Sequence, residues 1–486
     1  MNSIIPTLPA GKEIRKAFII LGGLALTLLG SYVLAKITGR LEMKWVLLFM
    51  FILAAGPVLA ILAREKLRLL LLVLALLALP VPVNRMLYRD SVYELKIGAH
   101  HLPGLSLSDM CFLVLLSIWL LETLLRKRAV KTPATPELFL PAALVVWTGL
   151  SVLYAPEAKA SFFETLRLTK IFIIYLCVLS TLEEHKALRY TVISLLATVA
   201  LKSLLAIAQY FTGSGLGLQV LGEAETFAFA ETEAPQMLTR RTSGTLTHPN
   251  LLAAYLALIT PLAMSFGLSA IKVRHKVLCL FVILLALAAL LVSGSRGGFM
   301  ALTAAGGVVL LLQMWRSGRP RYFFLWWLAT ALSLGLAALL LGQILATRPV
   351  GPVLYNRLQL MSRAWEVVQA YPLTGVGAAN YLVLVDRLLV HNAYLLVAAE
   401  TGLIGLALFL GGLFVVLKKG WAGIGVEDSL LSSVAVGGIA SLLGYTVNMV
   451  VDINYQMSVI MTLFWVMAGL LVATGRLARH PAEEEV

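Results

Sequence analysis

The sequence predicts an all-α integral membrane protein, a bundle of about 12 to 14 transmembrane helices with one large outer loop. Three observations lead there. Of 486 residues 60% are apolar, 13% are charged, and the mean hydropathy is +0.90, which leaves too little polar surface to coat a soluble globule. The apolar residues fall in runs near the roughly 20 residues that cross about 30 Å of hydrocarbon. A backbone in lipid must also satisfy its own polar groups, and a helix does so within a single segment.

In chain order the runs lie at 17–35, 45–63, 67–83, 105–125, 137–154, 162–182, 187–211, 248–270, 277–293, 299–315, 322–345, 392–417, 429–451 and 456–475. The first has no small-residue cleavage site behind it and reads as a retained span. Lys and Arg gather at alternate run ends: Lys12 to Lys16, Arg64 to Arg68, Arg126 to Lys131, Lys186 and Arg189, Lys272 to Lys276, Arg316 to Arg321, Lys418 with Lys419, and Arg476 with Arg479. Basic residues mark the cytoplasmic side, so both termini are expected there. The loop from Lys36 to Lys44, with three basic residues on the outer side, is the exception. The net charge of +14 is thereby a topology signal, and the expected partners are membrane lipids, with no nucleic acid. The chain divides into N-terminal spans at 1–160, a second transmembrane region at 161–476 and a tail at 477–486.

Three outer segments, 84–104, 212–247 and 346–391, are longer than a compact bundle requires, and such loops usually carry function. The first holds Arg85, Arg89, Asp90, Glu94, His100 and His101 and reads as solvated. The second runs from TGSGLGLQ through Glu223, Glu225, Glu231 and Glu233 to RRTSGTLTHPN. Its glutamates read as a solvated acidic stretch, with weak calcium binding as the other reading. The third predicts an amphipathic helix from about Asn356 to Ala370, then the breaker sequence YPLTGVG. Cys111, Cys177 and Cys279 lie far apart in apolar runs and read as small buried hydrophobes. No metal and no cofactor is expected.

In the second half of the chain the outer cations Arg240, Arg241, Arg296, Arg348, Arg357, Arg363 and Arg387 are all arginine. A planar fork suits bidentate phosphate binding, although arginines at span ends also snorkel to headgroups. Arg296 stands between Gly294 and the pair Gly297 and Gly298 at the start of a predicted span. Glycine allows close approach of a ligand, and a new helix offers unpaired N–H groups, so this turn reads as a phosphate seat. His391 and Asn392 stand at the mouth of the run HNAYLLVAAETGLIGLALF and, read alone, form an interfacial helix cap. His248, followed by Pro249 and Asn250, reads as a helix-start signal. Arg167, Lys170 and Lys202 lie within runs, and Glu400 and Asp452 lie within or beside late ones, where ionisable residues are functional suspects by default.

Four segments follow one another in a recognisable order: RTSGTLTHPNLLAAYLAL at 241–258, VSGSRGGFMAL at 292–302, RAWEVVQAYPLTGVGAANY at 363–381 and HNAYLLVAAETGLIGLALF at 391–409. Together they resemble the bacterial O-antigen ligase and O-antigen polymerase superfamily, over roughly residues 160–470. The resemblance implies an inner-membrane glycosyltransferase with a large periplasmic loop. Its donor would be a glycan on undecaprenyl pyrophosphate, and its acceptor a sugar hydroxyl of the lipid A core for a ligase or of a second lipid-linked glycan for a polymerase. It places catalytic roles on Arg241, Arg296 and His391, with Arg240 as the alternative to Arg241. Arg357, Arg363, Asn392, Lys170 and Arg167 become substrate-binding candidates. Displacement of the diphosphate would be inverting and metal-independent, with His391 either taking the acceptor proton or orienting the acceptor. A transporter or flippase is the competing reading, but carriers concentrate charge near the bilayer midplane and often show two related halves, whereas these motifs lie in outer loops of one half. A peptidoglycan-type polymerase would rest on Asp386, whose context does not match.

Overall fold

The computed structural model describes residues 67–81, 84–86, 104–126, 135–218, 223, 241–269, 271–318, 324, 328, 350–385 and 390–479. The runs expected at 17–35 and 45–63, and nearly all of 322–345, lie outside the described residues. Among the described residues the fold is all-α apart from one small ribbon. Its helices are α1 (Leu67–Ala78), α2 (Leu107–Arg126), α3 (Pro136–Leu150), α4 (Ala158–Thr181), α5 (His185–Thr212), α6 (Pro249–Leu268), α7 (Val273–Ser293), α8 (Arg296–Ser317), α9 (Val350–Ala370), α10 (Tyr381–Leu384), α11 (Ala393–Trp421), α12 (Ser429–Val451) and α13 (Ser458–Arg479). Among the described residues eight helices are long and apolar enough to cross a membrane: α3 with its 3-10 extension to Leu153, α5, α6, α7, α8, α11, α12 and α13. The amphipathic helix expected near 356–370 is α9.

The edges of the first long loop are paired, while Arg89, Asp90, Glu94, His100 and His101 lie outside the described residues. Strands β1 (Asn84–Met86) and β2 (Gly104–Ser106) pair antiparallel between α1 and α2, with Arg85 opposite Leu105. Three-residue strands are too short for hydropathy alternation to register in a sequence.

Helices α6, α12 and α13 form the centre, with 78%, 72% and 89% of their apolar windows buried, whereas α7 is 28% buried and faces outward. Lipid tails are as apolar as leucine, so close backbone approach holds such helices together. A methyl added at Gly298 of α8 would lie 2.4 Å from Ala253 of α6, and one at Gly444 of α12 would lie 2.4 Å from Ala305 of α8. These glycines set the α6–α8–α12 crossing.

Polar contacts sort the helix ends onto two faces. On one, Glu137 meets Lys419 (3.1 Å) and Arg476 (3.7 Å), His185 meets Asp428 (3.1 Å), and Arg316 donates to the Val426 carbonyl (3.2 Å). The starts of α6, α8 and α11 and the turn between α12 and α13 gather on the opposite face.

Helix α11 is not continuous. At Gly402, with φ +70° and ψ −179°, the helical ladder breaks, and the segment 372–377 inserts beside it. Leu403 N–H donates to the Pro372 carbonyl (2.8 Å), while Val376 and Gly377 N–H donate to the carbonyls of Ala399 and Glu400 (2.9 Å each). Gly375, at φ +68°, presses against the Glu400 backbone. The other side of the segment is fixed to the α3–α4 corner: Tyr154 Oη donates to the Thr374 carbonyl (2.7 Å), Ala378 N–H to Ser151 Oγ (3.2 Å), Ser161 Oγ to the Ala378 carbonyl (2.8 Å), and Glu157 N–H to Asn380 Oδ1 (2.8 Å). The breaker sequence YPLTGVG is therefore a structural plug, tied to α11 along one edge and to the α3–α4 corner along the other.

Candidate active site

The first motif, Arg241 to His248, is seated by α5. Gly244, in the left-handed region at φ +64°, is gripped by Gln209, whose Oε1 accepts Gly244 N–H (2.9 Å) and whose Nε2 donates to the Gly244 carbonyl (2.8 Å). Buried Lys202 donates from Nζ to Thr245 Oγ1. Glu223 steadies Gln209 by accepting from its Nε2 (2.6 Å) and also takes the N–H groups of Leu216 and Leu218 (2.7 Å each). Burial pushes the Glu223 carboxyl upward, but these donors outweigh it and hold the group below the ordinary carboxylate value.

Arg241 lies across the glycine turn between α7 and α8. Its Nε donates to the Ser293 carbonyl (2.7 Å) and its Nη2 to Asn250 Oδ1 (2.6 Å). A methyl at Gly294 would come within 3.4 Å of Arg241 Nε, so the stem occupies the space that this glycine leaves. Two residues on, Arg296 opens α8 as an exposed first residue, behind the N-cap Ser295. The two arginines thus flank one turn.

Asp452, at the end of α12, ties this turn to the rest. Its Oδ2 accepts from Asn250 Nδ2 (3.1 Å) and Asn454 Nδ2 (3.0 Å), and its Oδ1 from Ile453 N–H (2.8 Å); Asn454 Nδ2 also reaches the Asn250 carbonyl (3.2 Å). Arg241, Asn250 and Asp452 form one chain of hydrogen bonds. His248 caps α6, its Nδ1 accepting Asn250 N–H (3.0 Å), as the sequence HPN implies. Burial and the Arg241 charge depress its pKa, while Asp452 opposes them.

His391 is exposed at the mouth of α11, and Asn392 behind it is the N-cap, Oδ1 accepting Leu395 N–H (2.9 Å). Partial desolvation, then the Arg357 guanidinium on α9, push the His391 pKa below its ordinary value, and Asp452 pulls it up. Asp452 thus acts on both imidazoles. At neutral pH His391 is an uncharged ring able to accept a proton.

The remaining candidates lie as follows. Arg167 is buried with its fork on Glu164 (Nε to Oε2 2.8 Å, Nη2 to Oε1 2.5 Å), and its Nη1 donates to the Gln456 carbonyl. Lys170 is paired with Asp109 on α2 (3.0 Å). Both cations are committed to carboxylates. Arg363 is exposed on α9, near enough to Tyr381 to act on its phenol. Glu400 is buried at the α11 break and accepts the N–H groups of Ala379 and Tyr381. Arg240, Arg348, Asp386 and Arg387 lie outside the described residues. The sequence marks Asn250 only as part of a helix-start signal, and gives no local sign of the role of Asn454. Among the described residues no three His, Cys, Asp or Glu side chains group as metal ligands. Cys111, Cys177 and Cys279 are free thiols.

An apolar cavity of about 550 Å³ lies between α6, α7 and α8. It runs from Phe299, one turn below Arg296, to Lys276 at the opposite face, lined by Met264, Leu280, Leu287 and Leu302 among others.

Residues 281–410 match the family model described as O-antigen ligase. The matched stretch contains Arg296, Arg357, Arg363, His391 and Asn392, and Arg241 precedes it. No curated protein matches the chain.

Proposed function

We propose that this multispan membrane protein, which carries an O-antigen ligase domain at residues 281–410, moves a glycan from undecaprenyl pyrophosphate to a sugar hydroxyl on the periplasmic face of the bacterial inner membrane. The supporting observation is the meeting of Arg241, the Arg296 turn and Asp452 in one hydrogen-bonded cluster, with His391 in electrostatic reach of Asp452.

In this reading the donor diphosphate rests on the N-terminus of α8 between Arg241 and Arg296, and the apolar cavity below Phe299 takes the prenyl chain. The acceptor oxygen attacks the anomeric carbon from the side opposite the diphosphate. As that bond forms, the C–O bond to the diphosphate breaks, the lipid diphosphate leaves with the electron pair, and the acceptor proton passes to His391 Nδ1 or Nε2. The anomeric centre inverts. Cationic stabilisation of the leaving group and general-base help are worth roughly 10²–10³ and 10²–10⁴ in rate. Partial desolvation and then Arg357 favour the neutral form of His391, while Asp452 orients the Arg241 fork through Asn250 and limits how far the imidazole pKa falls. Arg167 and Lys170 serve as ties between helices, and Arg363 and Arg357 line the approach along α9.

We assign the acceptor to the lipid A core, following the description of the matched family; a second lipid-linked glycan, and hence polymerase activity, is the alternative within the same chemistry. Deleting the chain from its host and profiling the surface glycan separates the readings. Loss of all long chains from lipid A, with lipid-linked glycan accumulating outside, is the expected result. Lipid A capped by single repeats indicates the polymerase. Glycan accumulating on the cytoplasmic side indicates a flippase and refutes the transferase.

A further inference from the structure

Asn448 lies on α12 one turn before Asp452, at 1% exposure, and neither its Nδ2 nor its Oδ1 has a partner among the described residues. Some buried hydroxyls turn back onto their own helices, as Thr260 does to the Leu256 carbonyl (2.7 Å) and Thr474 to the Leu470 carbonyl (2.8 Å), while others, Ser432, Ser433 and Ser441 of α12 among them, have no partner among the described residues. The carboxamide of Asn448 leaves both its Nδ2 and its Oδ1 unmet, where Gln313 and Gln456 each leave one atom. A primary amide wants two donated and up to two accepted bonds, and leaving all of them unmade inside a lipid-embedded bundle is unfavourable unless something else supplies them.

Its position says what. A methyl added to Gly297 would lie 2.9 Å from Asn448 Nδ2, so the amide fills the side-chain space of the second residue of α8. A Cα–Cβ bond tilts toward the helix N-terminus, and this space therefore borders the first N–H groups of α8. Ser295 caps only one of them, accepting Gly298 N–H at 3.4 Å. A buried N–H₂ donor without a partner thus stands beside a helix N-terminus already flanked by Arg241 and Arg296.

Resting on the transferase reading above, we propose that Asn448 is a diphosphate-binding residue, donating from Nδ2 to an oxygen of the anion seated at the α8 N-terminus. Gly297 is glycine because a side chain there would separate the amide from the anion. Asn448 then holds the leaving group from the α12 side, while the arginines hold it from the turn.

The test uses the purified full-length protein in lipid nanodiscs, titrated with inorganic pyrophosphate by calorimetry alongside thermal unfolding. Asn448→Leu, of similar size, should unfold at or above the parental temperature, because it removes unsatisfied polar groups, yet bind pyrophosphate about tenfold or more weakly. Asn448→Asp should bind more weakly still, since a carboxylate then faces the anion, and it carries the test if the leucine variant does not insert. Parental affinity in the folded Leu or Asp variant overturns the assignment of Asn448; if Arg296→Ala loses binding in the same series, the transferase reading survives that result. Absence of saturable pyrophosphate binding by the parent protein overturns the anion seat and Asn448 with it.

Discussion

Replacing Gly402 by alanine tests whether the break in α11 holds the plug segment and, through it, the block that carries His391. Two effects add. The backbone at φ +70° and ψ −179° lies in a region almost confined to glycine, where another residue costs roughly 1–3 kcal/mol. The new methyl would also stand 2.0 Å from the Leu373 carbonyl oxygen and 2.6 Å from Thr374 N, both backbone atoms that no rotamer change can move aside. The segment must retreat, and with it go the hydrogen bonds between Leu403 and Pro372, Val376 and Ala399, and Gly377 and Glu400, each worth about 0.5–1.5 kcal/mol. The total is roughly 3–7 kcal/mol, spent on local opening before global unfolding. Hydrogen exchange of the purified protein should show the amides of Leu403, Val376 and Gly377 exchanging at least a hundredfold faster, with those of α6 unchanged. Parental exchange at these amides in Gly402→Ala would refute the idea that the plug is locked to the break.

Other outcomes follow from the site. His391→Ala and Arg296→Ala should insert and fold but lose transfer by roughly 10²–10⁴ and 10²–10³ in kcat; full activity in either purified variant removes that residue from the mechanism. Transfer against pH should show an acidic limb with its midpoint below 6.5, because partial desolvation and Arg357 depress the His391 pKa. Arg357→Ala should move that limb to higher pH and Asp452→Asn to lower pH, and a limb unmoved by both dissociates it from His391. Asn250→Ala removes a charge-assisted bond to the Arg241 fork, worth about 1.5–3 kcal/mol, and should lower kcat/KM by roughly 10- to 100-fold with a near-parental unfolding temperature. Glu164→Leu strands the buried Arg167 and should destabilise by about 3–5 kcal/mol, whereas Glu164→Leu with Arg167→Met should recover most of that and retain transfer; a folded but inactive double variant would mean that Arg167 touches substrate.

Much of the fold was readable because membrane helices report themselves locally: length, apolar runs, and the caps at His248 and Asn392 are properties of neighbouring residues. The glycine-rich turn at Gly294 to Gly298, which carries Arg296, was readable for the same reason, since glycine next to arginine at a helix start has few uses. The break at Gly402 was not. Leu-Val-Ala-Ala-Glu-Thr-Gly-Leu is apolar enough to pass for unbroken helix, and the partners that stabilise the break, Pro372 to Gly377, lie some thirty residues earlier. Arg167 reads in the sequence as a substrate-binding candidate, although Glu164 three residues before it stands on the same helix face and takes its fork. The role of Asp452 as a tie between two motifs depends on Asn250, about two hundred residues away, and no local pattern carries such a contact.

The plugged break in α11 also bears on transport. Interrupted helices in carriers leave their half-helix ends open at mid-depth, where the two opposed dipoles capture an ion or a substrate carboxylate. Here the Leu403 N–H and the Ala399 and Glu400 carbonyls at the break are taken by the chain's own peptide groups at Pro372, Val376 and Gly377. These groups are therefore not on offer to cargo. The interruption works as a joint that lets the outer turns of α11 take their direction from the loop rather than from the rod beneath them.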